Sequence, residues 1–327
     1  MNANETPSAP AAPMVNEASA VAPTAAHATG APAAATIAHE VAATKAPPPE
    51  KKVVEPHSDY VLLNGLRFHY LDWGNETAHP LLVRHGYTSH AHAWDSFARA
   101  MHEQFHVIVL DQRGHGESGW ASDYSPSAMI EDIRAFTHAL RLNKFALLGL
   151  SMGGRNAYGF TAAHPDKVDR LVIVDIGPET ATSGSTRIRA GARAKDVFES
   201  PAEVLAAQRA VYPRADEHEL HHRVMHNLMR MEDGRWTWRW DKALRSPETP
   251  LPTPAADAAW VWLTKLTCPT LLVRGADSDV LSVETATRMV RVIPHATLVT
   301  VPAAGHSIPL DNPAGFLAAV QPFLRSA

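Results

Sequence analysis

Eight short apolar runs, separated by longer stretches with helical spacing, are the feature that most constrains how this chain can fold. They read YVLL, LRFHYLDWG, PLLVRHG, FHVIVLDQRG, KFALLGLS, RLVIVDIGP, PTLLVRGAD and ATLVTVPAAGH. Runs that are apolar on both faces and alternate with helices predict a mostly parallel sheet covered by helices, an α/β fold. The first two runs meet near Asn64-Gly65, a pair suited to a type I′ turn, and so predict an antiparallel hairpin. Most of the others end on Gly, His, Asp or Ser. Ligands of open α/β sheets bind outside the carboxyl ends of the strands, so these polar ends are expected to converge on one crevice.

Composition shifts at both ends of this pattern. Ala and Pro supply 26 of the first 50 residues and none is aromatic, which predicts a disordered tail over residues 1–52. The opening MNANETPSAP and its continuation are broken by Pro, Asn, Glu and His, unlike a secretory signal. No uncharged apolar run approaches the roughly 18 residues of a membrane-spanning helix. A cytoplasmic protein with no membrane partner is the expectation. A formal charge of -4 gives no basic footprint for nucleic acid, and the single cysteine, Cys268, excludes an internal disulfide. Residues 179–265, rich in Met, His, Trp and Arg, lack a strong parallel-strand run. They are expected to form an inserted, mainly helical cap, with 53–178 and 266–327 as the core domain. Nothing in the sequence sets the oligomeric state.

The chemistry-bearing signal is Gly149-Leu150-Ser151-Met152-Gly153, a G-x-S-x-G segment between a strand-like run and a helix-compatible one. A serine on so sharp a turn needs small neighbours, which Gly149 and Gly153 supply. Its hydroxyl is a poor nucleophile until a base accepts the proton. His306, in the loop after the last apolar run, suits the chain order Ser, acid, His. The third run ends in His85-Gly86-Tyr87, so the amides of Tyr87 and Met152 are expected to form an oxyanion hole, while His85 holds the loop. Tyr87 and Trp94 are expected in the substrate pocket wall. Trp236, Trp238 and Trp240 fit either a pocket or a packing stripe. Arg113 and Asp111 are expected to lock the loop after the fourth run. His90/His92, His102/His106 and His218/His221/His222 show neither H-E-x-x-H nor a cysteine pattern, and read as solvated or capping groups. No metal and no cofactor is expected.

Taken together, LVRHGYTSHAHAWD, LDQRGHGESG, LLGLSMGG, LVIVDIGPE, LLVRGADSDVLS and VPAAGHS resemble the α/β-hydrolase superfamily over roughly residues 58–325. The likeness is to its esterase and meta-cleavage-product hydrolase branches; haloalkane dehalogenases and soluble epoxide hydrolases carry Asp where this chain has Ser151. In the family the acid usually follows the penultimate core strand as G-x-x-D, but counting from Gly275 that position is Ser278, flanked by Asp277 and Asp279. Some members keep the acid at the end of the strand after the elbow helix, which here is Asp175. The resemblance therefore implies Asp175 as the acid with Ser278 as an auxiliary, Asp279 as the next candidate and Asp277 as the third. It implies hydrolysis of a small carboxylic ester through a serine acyl-enzyme. C–C bond hydrolysis of ring-cleavage products and a small-molecule receptor are the alternatives.

Overall fold

The computed structural model describes residues 54–193, 195–246 and 253–326; the tail expected over residues 1–52 lies outside them. Asn64 and Gly65 take φ of 50° and 75°, which turns β1 (His57–Leu63) back onto β2 (Leu66–Asp72) as an antiparallel hairpin. There follow β3 (His79–Arg84), α1 (Asp95–Met101), β4 (Phe105–Leu110), α2 (Pro126–Ala139), β5 (Phe145–Leu150), α3 (Met152–Ala163) and β6 (Val168–Val174). Next come α4 (Thr182–Arg193), β7 (Val197–Phe198), α5 (Pro201–Val211), α6 (Glu217–Asn227), β8 (Leu228–Arg230), β9 (Trp236–Trp238) and α7 (Ala256–Leu263). The chain closes with β10 (Thr270–Gly275), α8 (Val283–Val292), β11 (Ala296–Val301), α9 (Ile308–Asp311) and α10 (Pro313–Arg325).

The main sheet has the order β1-β2-β4-β3-β5-β6-β10-β11, antiparallel at β1/β2 and β2/β4 and parallel elsewhere. The α/β class read from the alternating runs is thus the observed one. Its strands are apolar throughout because both faces are covered. Phe145 and Leu147 of β5 enter one buried cluster with Phe136, Phe160 and Leu272, while Ala146 and Leu148 enter the opposite one with Val83, Val109 and Phe316. Strand order reverses around β3, with β4 on one side and β5 on the other, so the loops after β3 and β5 border a switch-point crevice.

Between β6 and β10 the chain is mainly helical, yet β7, β9 and β8 also make a small antiparallel sheet. The helical spacing through Met231 suggests one long helix, but α6 stops at Asn227. Leu228–Arg230 pairs instead with Trp236–Trp238 across a turn closed by Gly234 at φ 87°. The aromatic residues on β9 gain more from packing in a sheet: Trp238 meets Phe198 edge-on, and its indole N–H donates to the Lys195 carbonyl at 2.8 Å. Among the described residues no helix is long and apolar enough to cross a membrane.

The loop after β4 is locked, though not by Arg113 acting on Asp111. Arg113 makes a two-pronged pair with Asp132 of α2, at 2.5 and 2.7 Å, and donates to the Asp123 carbonyl. Asp111 instead accepts from the His69 ring at 2.7 Å and from the Ala91 and Glu117 amides. Both Arg113 and Asp132 are buried, so removing the guanidinium strands a carboxylate away from water. Arg113→Met is expected to lower the unfolding free energy by about 3–5 kcal/mol in urea titrations, with Arg113→Lys between it and wild type because the fork geometry is lost.

Candidate active site

Register brings the three core residues together. Leu150 pairs with Val174 and Val174 with Val273, and the ladder runs one step further as the Ser151 amide donates to Val174 and the Asp175 amide to Val273. Ser151 leaves β5 at φ 54°, ψ −120°, a conformation costly for a residue with a Cβ, and α3 begins at the next residue. Crowding allows only glycine at its flanks: a Cβ on Gly149 would meet the Gly153 carbonyl at 2.3 Å, and one on Gly153 the His85 carbonyl at 2.5 Å. The hydroxyl therefore sits above the carboxyl edge of the sheet, where His306 Nε2 lies 3.0 Å from it. His306 Nδ1 lies 2.8 Å from Asp175 Oδ2.

Asp175 has no exposed surface, and three donors satisfy it: His306, the Gly275 amide at 3.0 Å and the Ser278 hydroxyl at 2.5 Å. Ser278 is itself held by accepting from the Val280 and Leu281 amides. The other two candidate acids are occupied elsewhere. Asp279 forms a two-pronged pair with Arg187 of α4 at 2.7 and 2.8 Å, and Asp277 pairs with Arg214 at 2.7 Å. The structure brings neither into hydrogen-bond contact with His306. Gly275 is what lets the histidine loop approach, since a Cβ there would lie 2.1 Å from the Gly305 carbonyl.

Tyr87 and Met152 both line the cavity that opens over Ser151. The Met152 amide is the first of α3, among the N–H groups that have no acceptor within their own helix. Gly86 brings the other loop close: a Cβ built on it would stand 3.4 Å from Ser151 Cβ. His85 is fully buried, with Nε2 accepting from the Gln112 amide at 2.9 Å and Nδ1 facing the Gly86 carbonyl at 2.8 Å. It braces the loop that carries Tyr87.

The family model of the alpha/beta hydrolase fold matches residues 79–313. The chain belongs to that family. This hydrolase is 30% identical over 265 residues to esterase Rv0045c of Mycobacterium tuberculosis, spanning 77% of this chain and 84% of that one. The crystal structure of that esterase matches with a TM-score of 0.69 at 27% identity, over 83% of this chain and 92% of that one. It is also 30% identical over 272 residues to 3-hydroxybutyrate-oligomer hydrolase of Cupriavidus necator, 79% of this chain and 92% of that one. The crystal structure of E-2-(acetamidomethylene)succinate hydrolase, at 24% identity, shares the fold with a TM-score of 0.76 over 83% of this chain and all of that one.

Two adjoining cavities of the hydrolase, of about 340 and 230 Å³, share Tyr87, Ser151 and Ile188. Trp238 and Trp240 line the larger one, and the Trp240 indole N–H is buried without a partner among the described residues. Trp94, expected in this wall, is not there. The short turn Ala91–Trp94 directs its ring inward, where it packs on Phe97 and Phe316 with centroids 5.6 and 5.8 Å away. Arg155 joins the cavity wall without a motif to mark it. It lies four residues after Ser151, one turn along α3, and lines the smaller cavity while being nine-tenths buried. Its Nε donates to the Gly177 carbonyl at 3.4 Å, the Tyr158 phenol lies beside it, and it faces no carboxylate among the described residues. Burial pushes its guanidinium below its ordinary pKa.

The histidines divide into two kinds. Burial and the neighbouring His115 push His85 down to about 3, and burial takes His115 to about 4 and His90 well below its ordinary value. His222 is pushed the other way by its bond to Asp95. It stands in a group with His92 and His226 that the pairs noted in the sequence do not delineate. Groups held neutral in the fold but free to protonate near pH 6.5 when unfolded stabilise the fold above that pH. Their contribution is lost as pH falls, opposed only by His222 among the four. The unfolding free energy from urea titrations is expected to be level between pH 7 and 8 and to fall steadily from about pH 6.5 to 4; a level profile down to pH 5 contradicts the neutral buried histidines.

Proposed function

We propose that the hydrolase cleaves small carboxylic esters through a serine acyl-enzyme. The observation that carries this reading is the unbroken chain Ser151–His306–Asp175, with contacts of 3.0 and 2.8 Å. Ser151 Oγ attacks the ester carbonyl as His306 Nε2 takes its proton. The Nδ1–H of the resulting imidazolium faces Asp175, whose charge orients the ring and stabilises it without accepting the proton. The amides of Tyr87 and Met152 receive the oxyanion, His306 protonates the leaving alcohol, and water repeats the sequence on the acyl-enzyme. None of these steps calls on a metal or an organic cofactor.

Arg155 supports a finer reading, that the preferred substrate carries a carboxylate. A buried guanidinium with no acid beside it among the described residues carries a desolvation cost that an anionic ligand group would offset. The same observation favours a second reading, C–C bond hydrolysis of a ring-cleavage product that bears such a carboxylate. Nothing in the cavity favours a non-catalytic receptor.

p-Nitrophenyl esters separate these readings. Ser151→Ala is expected to abolish turnover, Asp175→Asn to lower kcat about 10⁴-fold, and Asp279→Asn to leave rates within a fewfold of wild type, each variant checked for folding by circular dichroism. Activity that survives in folded Ser151→Ala defeats the acyl-enzyme. Arg155→Met is expected to cut kcat/KM for a p-nitrophenyl hemisuccinate about 10- to 100-fold more than for the butyrate. Equal losses on both esters reject the carboxylate subsite. A wild type that cleaves dienone ring-cleavage products and no aryl ester supports the second reading.

A further inference from the structure

His92, on the turn between β3 and α1, lies against His222 and His226, which stand one helical turn apart on α6. One ring nitrogen of each lies within 4.8 Å of the other two. The rings of His92 and His226 stack with centroids 3.7 Å apart, and those of His222 and His226 are 4.5 Å apart. Asp95, almost fully buried, faces two of the three through a single oxygen, with Oδ2 at 2.9 Å from His92 Nδ1 and 2.8 Å from His222 Nε2. Those bonds fix both tautomers and leave His92 Nε2 and His222 Nδ1 with free lone pairs. A carboxylate on the far nitrogen of an imidazole is the outer-shell arrangement of histidine metal sites.

We propose that His92, His222 and His226 bind one divalent transition-metal ion, zinc foremost, with Asp95 holding two of the ligands in place. Three imidazoles suit zinc, copper, nickel or cobalt, whereas calcium and magnesium require oxygen donors. Metal–nitrogen bonds of about 2.0–2.1 Å in a tetrahedral site put ligand nitrogens about 3.3 Å apart, so the rings close inward by about an ångström. All three side chains are half-buried, and His92 and His222 border a cleft. The ion pair of Asp95 with His222 needs no third histidine, and metal ligation gives His226 its place against His92.

The ion would tie α6 to the core loop that carries Tyr87. Helix α6 also supplies Arg223 and Asn227 to the cavity over Ser151, and Asn227 donates to the Thr88 carbonyl at 2.9 Å. Ligation therefore holds one wall of the substrate cavity without entering the chemistry at Ser151, and the site is independent of the ester-hydrolase reading.

The full chain, stripped with EDTA and titrated with zinc chloride by calorimetry, is expected to bind one equivalent in the micromolar range, and saturation is expected to raise its Tm. His226→Gln and His222→Gln are each expected to weaken binding at least tenfold. His138→Gln, on the exposed side of α2, and His306→Ala should leave it within twofold. No binding by wild type at 100 µM zinc overturns the site, as does equal affinity in folded His226→Gln. If both cluster variants fail to fold, cobalt(II) added to wild type decides: a visible spectrum unlike that of the aqueous ion supports imidazole ligation, and one identical to it overturns the proposal.

Discussion

Burying the Asp175 carboxylate is the constraint on which the rest of the site depends. A charge with no exposed surface is tolerable only when fully hydrogen-bonded. Its three donors come from the end of β10, the loop after β10 and the loop after β11. Satisfying one side chain therefore requires three strand ends to assemble in register. It also settles the fate of the neighbouring aspartates. With Ser278 turned inward to Asp175, the residues on either side of it face outward, and Asp277 and Asp279 meet Arg214 and Arg187 of the inserted segment. One hydrogen bond thus separates an interior carboxylate, which orients a histidine, from two partly exposed ones that tether the segment above it.

Backbone strain is concentrated at the same edge. Ser151 at φ 54° and Asp175 at φ 50° leave adjacent parallel strands in the left-handed region, at an expected cost of order 1–3 kcal/mol for each such residue. Each is restrained by one further ladder bond from its amide to the neighbouring strand. At Ser151 glycine contacts allow the turn to be tight enough for the hydroxyl to clear the sheet. The strain and the burial are complementary: the sheet is rigid because it is apolar on both faces, and a rigid sheet can hold two unfavourable backbone conformations 24 residues apart in sequence.

Features that depend on neighbours in sequence were legible from sequence. The hairpin at Asn64-Gly65, the alternating elements and the glycine-flanked serine each follow from a few contiguous residues. Features that depend on distant packing were not. Trp94 lies close to Tyr87 in sequence, but the direction of its ring is set by packing on Phe97 and on Phe316, more than two hundred residues away. The strand at β9 outcompetes helix extension only once β7 and β8 flank it. Arg155 did carry a local signal, since a helix that starts at residue 152 brings the residue four after Ser151 onto the same side. His226 carries the same signal relative to His222, four residues before it on one face of α6.

The distribution of arginines around the cavity shows how charge selectivity can arise without a dedicated motif. Arg187 lines the larger cavity but is engaged by Asp279, so its charge is already compensated by the core loop. Arg155 lines the smaller cavity from beneath and has no such acid among the described residues. Field strength rises as solvent is excluded, so the uncompensated buried cation outweighs the compensated and more exposed one. Arg155 therefore presents a stronger positive charge to a ligand beside Ser151 than Arg187 presents at the tethered rim. That asymmetry comes from the same arrangement around Asp175 that leaves Asp279 free to hold Arg187.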